Sequence, residues 1–301
     1  MKKFVVPALS LALCLGLVTG CSSKTSAPET SATETTAANG SESAASESTE
    51  STEPKAVDSL KIAFSPYADA DTITTATEPL ENLLKEELLT KGYDVADIDM
   101  TVGTSYTAVG EALSAGSADI GFISGGNYVL FSDDCDVLLT ALRYAINKDS
   151  EDPKGWNDGT IEENTDAMST YYRSIILAGP SAKGQELLAK VNNGEELTWD
   201  DLNSATWAVM GPTSASGYIY PSLWLQERYG KTIADLDNAV QSDSYTTSLA
   251  RLASGQADVM VSFGHIRTKN AKDWKEKLGG TDEMVNQTGI IGVTEPIYND
   301  M

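Results

Sequence analysis

From residue 57 onward, apolar residues recur with two periods, and these divide the chain into short elements. Ser59 to Ser65 alternates and then meets Pro66, which predicts a first strand. Leu80, Leu83, Leu84 and Leu88 form a helical stripe over Glu78 to Lys91. Asp99 to Gly103 predicts a second strand, Tyr106 to Ala115 a helix stopped by Gly116, and Asp119 to Ile123 a third strand running into Ser124-Gly125-Gly126. Val137 to Ala145 predicts a further strand. This strand–helix alternation implies an α/β lobe with a largely parallel sheet, over residues 57–146.

Residues 147–169 are acidic, hold Pro153 and two glycines, and show little periodicity, so they read as a surface insertion dispensable for binding. Regular grammar then resumes over residues 170–292. Strands are predicted at Tyr172 to Ala178, Thr206 to Met210 and Ala257 to Ser262, and helices at Gln185 to Val191, Ser216 to Arg228 and Ser244 to Ser254. Thr198 followed by Asp201 predicts a capped helix start. One unit occurs in both halves: a helix, a Gly-x-x-Asp turn, then an apolar strand. Gly116-Ser117-Ala118-Asp119 leads into Ile120 to Ile123, and Gly255-Gln256-Ala257-Asp258 into Val259 to Val261. Two similar lobes imply a cleft between them.

The N-terminus reads differently. Lys2 and Lys3 precede an apolar run from Phe4 to Val18, short for a membrane span and suited to a secretory signal. The run ends in Leu17-Val18-Thr19-Gly20-Cys21, which resembles the lipobox of bacterial lipoproteins. The resemblance implies cleavage of residues 1–20 and lipidation of Cys21. Residues 21–56, mostly Ser, Thr, Ala, Glu and Gly, are too polar to bury a core and read as a disordered tether.

The formal net charge is −23; loss of Lys2 and Lys3 would make it −25. Nucleic acid is excluded as a partner, because phosphate backbones require clustered Lys and Arg. An acidic surface is repelled by anionic lipid, so membrane attachment falls to Cys21. With Cys14 in the signal and Cys21 lipidated, Cys135 stands alone and no intramolecular disulfide forms. One histidine, His265, gives no metal set, and no cofactor is implied. His265 has no Ser or Cys partner and reads as structural. The carboxylates of Asp133 and Asp134 should raise the Cys135 pKa and leave it unreactive. The tryptophans Trp199, Trp207, Trp224 and Trp274 read as packing residues.

The chemistry concentrates in Gly211-Pro212-Thr213-Ser214-Ala215-Ser216-Gly217-Tyr218, between a predicted strand and a predicted helix. A helix N-terminus offers free amides and the positive end of a dipole, and small hydroxyl residues let an anion approach them. A plain serine cap is the competing explanation.

Together with Gly103-Thr104-Ser105-Tyr106, Gly116 to Phe122, Tyr172-Arg173-Ser174 and the Gly255–Asp258 turn, this segment makes most of Leu60 to Asp300 resemble the phosphonate/phosphite/phosphate substrate-binding proteins of ABC transporters. The resemblance implies a two-lobed, periplasmic-binding-protein type II-like α/β fold that closes on a small phosphorus oxyanion. It implies donors at Thr213, Ser214 and Ser216, further donors at Tyr106 and Tyr172, a Gly-rich loop facing the cleft from Ser124, and an acceptor at Asp300. It also implies permease subunits as partners and a lipid-anchored, extracytoplasmic location. The chain departs from the family in two places. Ser242-Asp243-Ser244-Tyr245 stands where a Ser-His pair is common, and Ile297-Tyr298-Asn299-Asp300 replaces Ile-Pro-Asn-Asp. Family members continue for several elements that complete the first lobe. Residues 293–301 therefore read as the start of that return, with the C-terminal part truncated and apolar surface left on lobe 1. An enzyme, or a sensor or adhesin, on the same fold are the rival functions; against the enzyme, the cleft residues hold no nucleophile–base pair.

Cys21→Ala is expected to move the protein from the membrane to the soluble fraction. Unchanged fractionation would remove the lipid anchor from this reading.

Overall fold

The computed structural model describes residues 53–298. Cys21, Asp300 and the segment expected to be a signal peptide lie outside them, as does nearly all of the expected tether. Lobe 1 opens with β1 (Lys55–Phe64), so its first strand takes in the last two residues assigned to that tether. Helix α1 (Ala70–Thr90) and strand β2 (Tyr93–Val102) follow. Helix α2 (Tyr106–Ser114) leads to β3 (Ile120–Phe122). The three strands form a parallel sheet in the order β2-β1-β3. Helix α1 starts eight residues before the predicted boundary at Glu78. Pro79 mimics a helix start, but the helix runs through it from the Asp69 cap, whose carboxylate accepts from the Thr72 amide at 3.0 Å. Ile73, fully buried, anchors that first turn. Ile62 and Phe64 of β1, with Val95 and Ile98 of β2, complete the core under α1.

Helix α3 (Gly125–Phe131) corrects the expected Gly-rich loop: Ser124 is the cap of a helix, its Oγ accepting from the Asn127 amide at 3.2 Å. The strand expected over 137–145 shrinks to β4 (Arg143–Ile146). Residues 137–142 have no regular structure, and Leu138 and Leu139 are 71% and 81% exposed. An apolar run forms a strand only where a sheet edge takes up its backbone groups, and here none does.

The 147–169 stretch holds more structure than its composition suggests. Strand β5 (Glu163–Ser169) pairs antiparallel with β4, and a single turn at Pro153–Trp156 puts Trp156 into the lobe 2 core, 1% exposed. The Asn157 side chain donates to the Ile290 carbonyl (2.8 Å) and accepts from the Ile290 amide (2.7 Å), standing in for a strand partner. The buried Arg267 guanidinium donates to the Trp156 carbonyl at 2.6 Å. An acidic composition hid one tryptophan and one asparagine that carry the attachment.

In lobe 2, β6 (Tyr171–Ala178) is followed by α4 (Ala182–Asn193), α5 (Trp199–Asn203) and β7 (Trp207–Val209). Thr198 and Asp201 form the expected reciprocal cap of α5. A π-helical turn (Ala215–Ile219) runs directly into α6 (Tyr220–Tyr229). Then come β8 (Ala239–Gln241), α7 (Tyr245–Ala253), β9 (Val259–Phe263), the short helices α8 (Ile266–Lys269), α9 (Ala271–Glu276) and α10 (Met284–Gln287), and β10 (Gly289–Tyr298). The sheet order is β10-β6-β9-β7-β8, with β7, β8 and β9 parallel and β6 antiparallel to both neighbours. Residues 293–298, expected to return to lobe 1, lie in β10 at the edge of this second sheet. Both faces are covered. Ile176, Trp207 and Val261 point to one cluster, and their chain neighbours Ile175, Ala208 and Met260 to the other. Such strands read as continuous apolar runs, as β6 does.

The repeated Gly-x-x-Asp unit has one structural job in both lobes. Gly116 (φ 66°) and Gly255 (φ 72°) take the left-handed conformation that ends α2 and α7. The aspartate then returns to a strand. Asp119 Oδ2 accepts from the Lys61 amide and Asp258 Oδ2 from the Thr206 amide, each at 2.8 Å.

Trp156→Ala is expected to lower unfolding stability by about 3–5 kcal/mol in urea titration, the usual loss for a fully buried tryptophan. Removal of 147–169 should be at least as damaging to stability.

Candidate functional site

In both lobes the parallel strands end at the amino ends of helices, where an α/β crevice forms. Lobe 1 contributes Ser105 at the start of α2 and Ser124 at the start of α3; lobe 2 contributes Ser214 before the π-helical turn and Ser244 before α7. Each hydroxyl accepts from an amide of its own first turn at 3.1–3.2 Å. Of the sequence-predicted site residues, Ser124 and Ser214 are therefore also caps.

Thr213, Ser214 and Ser216 are all buried. Ser214 Oγ and Ser216 Oγ lie 3.0 and 2.8 Å from the Tyr245 phenol oxygen. Thr213 Oγ1 is buried and makes no hydrogen bond. Buried hydroxyls are ordinarily satisfied, so this one is an exception in the middle of the cluster. The backbone beneath is held from two sides. Ser174 Oγ of β6 donates to the Ser216 carbonyl at 2.7 Å, and the Met210 amide donates to the Gly217 carbonyl at 3.0 Å. Gly217 is required by space, since a Cβ there would stand 2.3 Å from Met210 Cγ.

Lobe 1 meets this loop directly. Ser124 Oγ donates to the Thr213 carbonyl at 2.7 Å across the lobe boundary. Gly126 allows the approach, because a Cβ would stand 2.8 Å from the Thr213 carbonyl oxygen and 2.4 Å from Ile219 Cδ1. A second crossing contact joins the Tyr245 amide to the Tyr67 carbonyl at 3.4 Å. Tyr106 is held through its carbonyl, which accepts from Asn127 Nδ2 at 2.6 Å, and its side chain packs against the lobe 2 cluster that includes Tyr245. Tyr172 is buried against Ala215 and Ile297, and the Arg143 guanidinium stacks 3.9 Å over its ring. A cation thus stands one side chain away from a loop that itself carries none, which the sequence did not foretell. Surface depressions of about 380 and 430 Å³ beside Trp224 and Arg228 contain none of these hydroxyls.

Sequence reasoning met Tyr245 only as a departure from the family's Ser-His pair and did not place it beside Ser214 and Ser216. The signal was present as a second repeat: Ser105-Tyr106-Thr107 and Ser244-Tyr245-Thr246 stand at the same distance before their Gly-x-Ala-Asp turns. Other titratable candidates point inward. His265 is buried with Nε2 2.7 Å from the Tyr144 carbonyl, and burial lowers its pKa. Burial first, then Asp134 and Asp136, raises the Cys135 pKa.

No curated protein sequence matches the chain significantly. Among solved structures, the binding-protein component of an ABC phosphonate transporter from Pseudomonas aeruginosa superposes with a TM-score of 0.56 at 14% identity, covering 81% of this chain and 67% of that one. PhnD1 from Prochlorococcus marinus, solved with methylphosphonate, superposes with a TM-score of 0.56 at 13% identity, covering 81% and 75%. At these identities the likeness shows the type II periplasmic-binding-protein fold. The family described as "ABC transporter, phosphonate, periplasmic substrate-binding protein" matches residues 62–301, nearly the whole of both lobes. The chain belongs to the phosphonate periplasmic substrate-binding protein family of ABC transporters.

Proposed function

We propose that this protein is the lipid-anchored, extracytoplasmic receptor of an ABC importer, and that it binds a small phosphorus oxyanion (phosphonate, phosphite or phosphate) between its lobes. The reading rests above all on Thr213 Oγ1, buried and without a partner, among the hydroxyls of Ser214, Ser216 and Tyr245 at a helix amino end. Such an end favours negative charge, and hydroxyls add donors without adding charge. Tyr106 and Tyr172 flank the loop, and Ser124 ties it to lobe 1. Asp300 and Cys21 complete the reading from outside the described residues.

A body of net charge −23 opposes an incoming anion. Short-range dipoles must therefore provide the attraction, with Arg143 behind Tyr172 as support on the loop side. Binding is favoured over turnover because a serine nucleophile requires a neighbouring base. Ser214 and Ser216 instead adjoin a phenol, and His265 is bonded elsewhere. Delivery to permease subunits follows from lobe closure around the ligand.

Ser214→Ala should weaken binding by roughly one to two powers of ten, since a hydrogen bond to a charged group contributes about 1.5–3 kcal/mol. Calorimetric titration with phosphate, phosphite, methylphosphonate and sulfate measures it. Salt should change the affinity little, because the donors are buried and close-range. The reading fails if none of the four binds, or if Ser214→Ala leaves a measured affinity unchanged.

A further inference from the structure

We propose that His265 is a positioning residue for the ligand site: as a neutral imidazole it holds the Tyr144 carbonyl and so keeps Arg143 over Tyr172, and acid undoes this hold. The inference rests on the oxyanion reading above and adds what fixes the flank of that site.

β4 and β5 form a two-stranded sheet apart from both lobe sheets. A two-stranded ribbon is marginal alone, so its contacts with lobe 2 set where it lies. Two consecutive β4 residues make such contacts. The Arg143 guanidinium lies 3.9 Å from the centroid of the Tyr172 ring, and the Tyr144 carbonyl accepts from His265 Nε2 at 2.7 Å. The ladder breaks register at this point, with Tyr144 opposite Met168 and Ala145 opposite Asn164. His265 is itself placed by β6. The amide of its neighbour Gly264 donates to the Arg173 carbonyl at 2.8 Å, one residue beyond Tyr172. Tyr172 and His265 thus belong to one frame, and Arg143 and Tyr144 to the ribbon that leans on it.

A carbonyl only accepts, so Nε2 carries the proton and Nδ1 is the bare nitrogen of a neutral ring. Nδ1 is buried without a hydrogen-bond partner, and the residue is 4% exposed. Protonation would place an N–H there with no acceptor, and a charge away from water. The charged groups facing the ring are Arg143 on β4, Glu163 on β5 and Lys269 on α8. Glu163 is shared with Lys269, whose ammonium donates to it at 3.1 Å. Burial foremost, with Arg143 and Lys269 beside it, lowers the histidine pKa against the pull of the Tyr144 bond and Glu163. The hold is therefore complete above about pH 6.5 and is lost as pH falls from there through the lower folded value. Ile146, at the far end of β4, packs on the lobe 2 cluster at any pH, so the release is local to Arg143 and Tyr144.

This is the chain's one histidine, so its ring resonances are unambiguous. The test is nuclear magnetic resonance of that ring on the full chain from pH 8 to pH 5.5, with and without saturating methylphosphonate. Calorimetry with the same ligand on wild type, Ser214→Ala, His265→Gln and His265→Ala accompanies it. By reciprocity, a ligand that favours the held ribbon opposes protonation, so methylphosphonate should lower the ring's titration midpoint. A nearby anion acting through its charge alone would raise it. Gln keeps a donor and does not titrate. His265→Gln should bind like wild type at pH 8, and His265→Ala about threefold or more weakly, the effect of one lost hydrogen bond. The affinity of wild type relative to His265→Gln should fall several-fold from pH 8 to pH 5.5; ligand ionisation is common to both and cancels. If Ser214→Ala loses affinity while the midpoint fails to fall with ligand, or while that ratio stays flat, this inference is overturned and the oxyanion reading stands. If wild type binds no oxyanion, both fall. The midpoint comparison needs wild type alone, so it decides the matter even where neither His265 variant folds.

Discussion

A helix begins with amides that have no partner inside it, and the arrangement of this molecule follows from how those amides are met. Ser105, Ser124, Ser214 and Ser244 each supply one hydroxyl oxygen to a first turn. Because each of these helices follows a strand, or the loop after one, the four caps gather where the two lobes meet. One capping hydroxyl, Ser124, then donates its own proton across the boundary to the Thr213 carbonyl. Capping, lobe contact and the proposed anion recognition thus draw on the same hydroxyl chemistry. A serine accepts with its lone pairs for the helix while its proton stays available for another group.

Charge explains why hydroxyls suit this task. The chain is strongly acidic, and its carboxylates lie mostly on the surface. Two aspartates repeated at equivalent positions, Asp119 and Asp258, accept strand amides and so serve the backbone. The buried cations are likewise engaged. Arg173 meets Asp149 and the Thr294 carbonyl, and Arg267 the Trp156 carbonyl. Burial pulls Arg267 down to about 10, a measure of how poorly its surroundings solvate charge. In the proposed site, a loop of neutral donors avoids that desolvation penalty before ligand arrives.

The stretch between β4 and β6 shows a different economy. Its surface is acidic and exposed, yet Trp156 and Asn157 bind it to lobe 2, while β4 and β5 pair with each other in a separate hairpin. His265 adds a contact from the other side through the Tyr144 carbonyl. A few well-placed side chains fasten a segment whose average composition argues for solvent. Lobe 1 shows the reverse. Leu138 and Leu139 are apolar and exposed because residues 137–142 do not extend the sheet beyond its edge strand β3, and Val129 and Leu130 of α3 are exposed as well.

Periodicity and local chemistry were enough to place most strands and helices, the Thr198–Asp201 cap and the Gly-x-x-Asp turns, because each depends on residues within a few positions of one another. They also marked 211–218 as a site candidate, since small hydroxyl residues between a strand and a helix are a local pattern. The start of α1 was misplaced because Pro79 carries the same local signal as a first helical turn. What lay beyond reach depended on distant pairs. Trp156 finds its cavity through Gly264 and Arg267, β10 finds β6 across more than a hundred residues, and the Ser124–Thr213 contact joins separate lobes. Tyr245 stood in plain view as half of a repeat, but only tertiary folding brings its phenol onto Ser214 and Ser216, thirty residues earlier in the chain. The sequence by itself determined the elements and their caps, through short-range hydrogen bonds and side-chain periodicity. The tertiary structure alone decided which caps share one crevice, because that depends on how two sheets, each burying its own apolar faces, come to rest against each other.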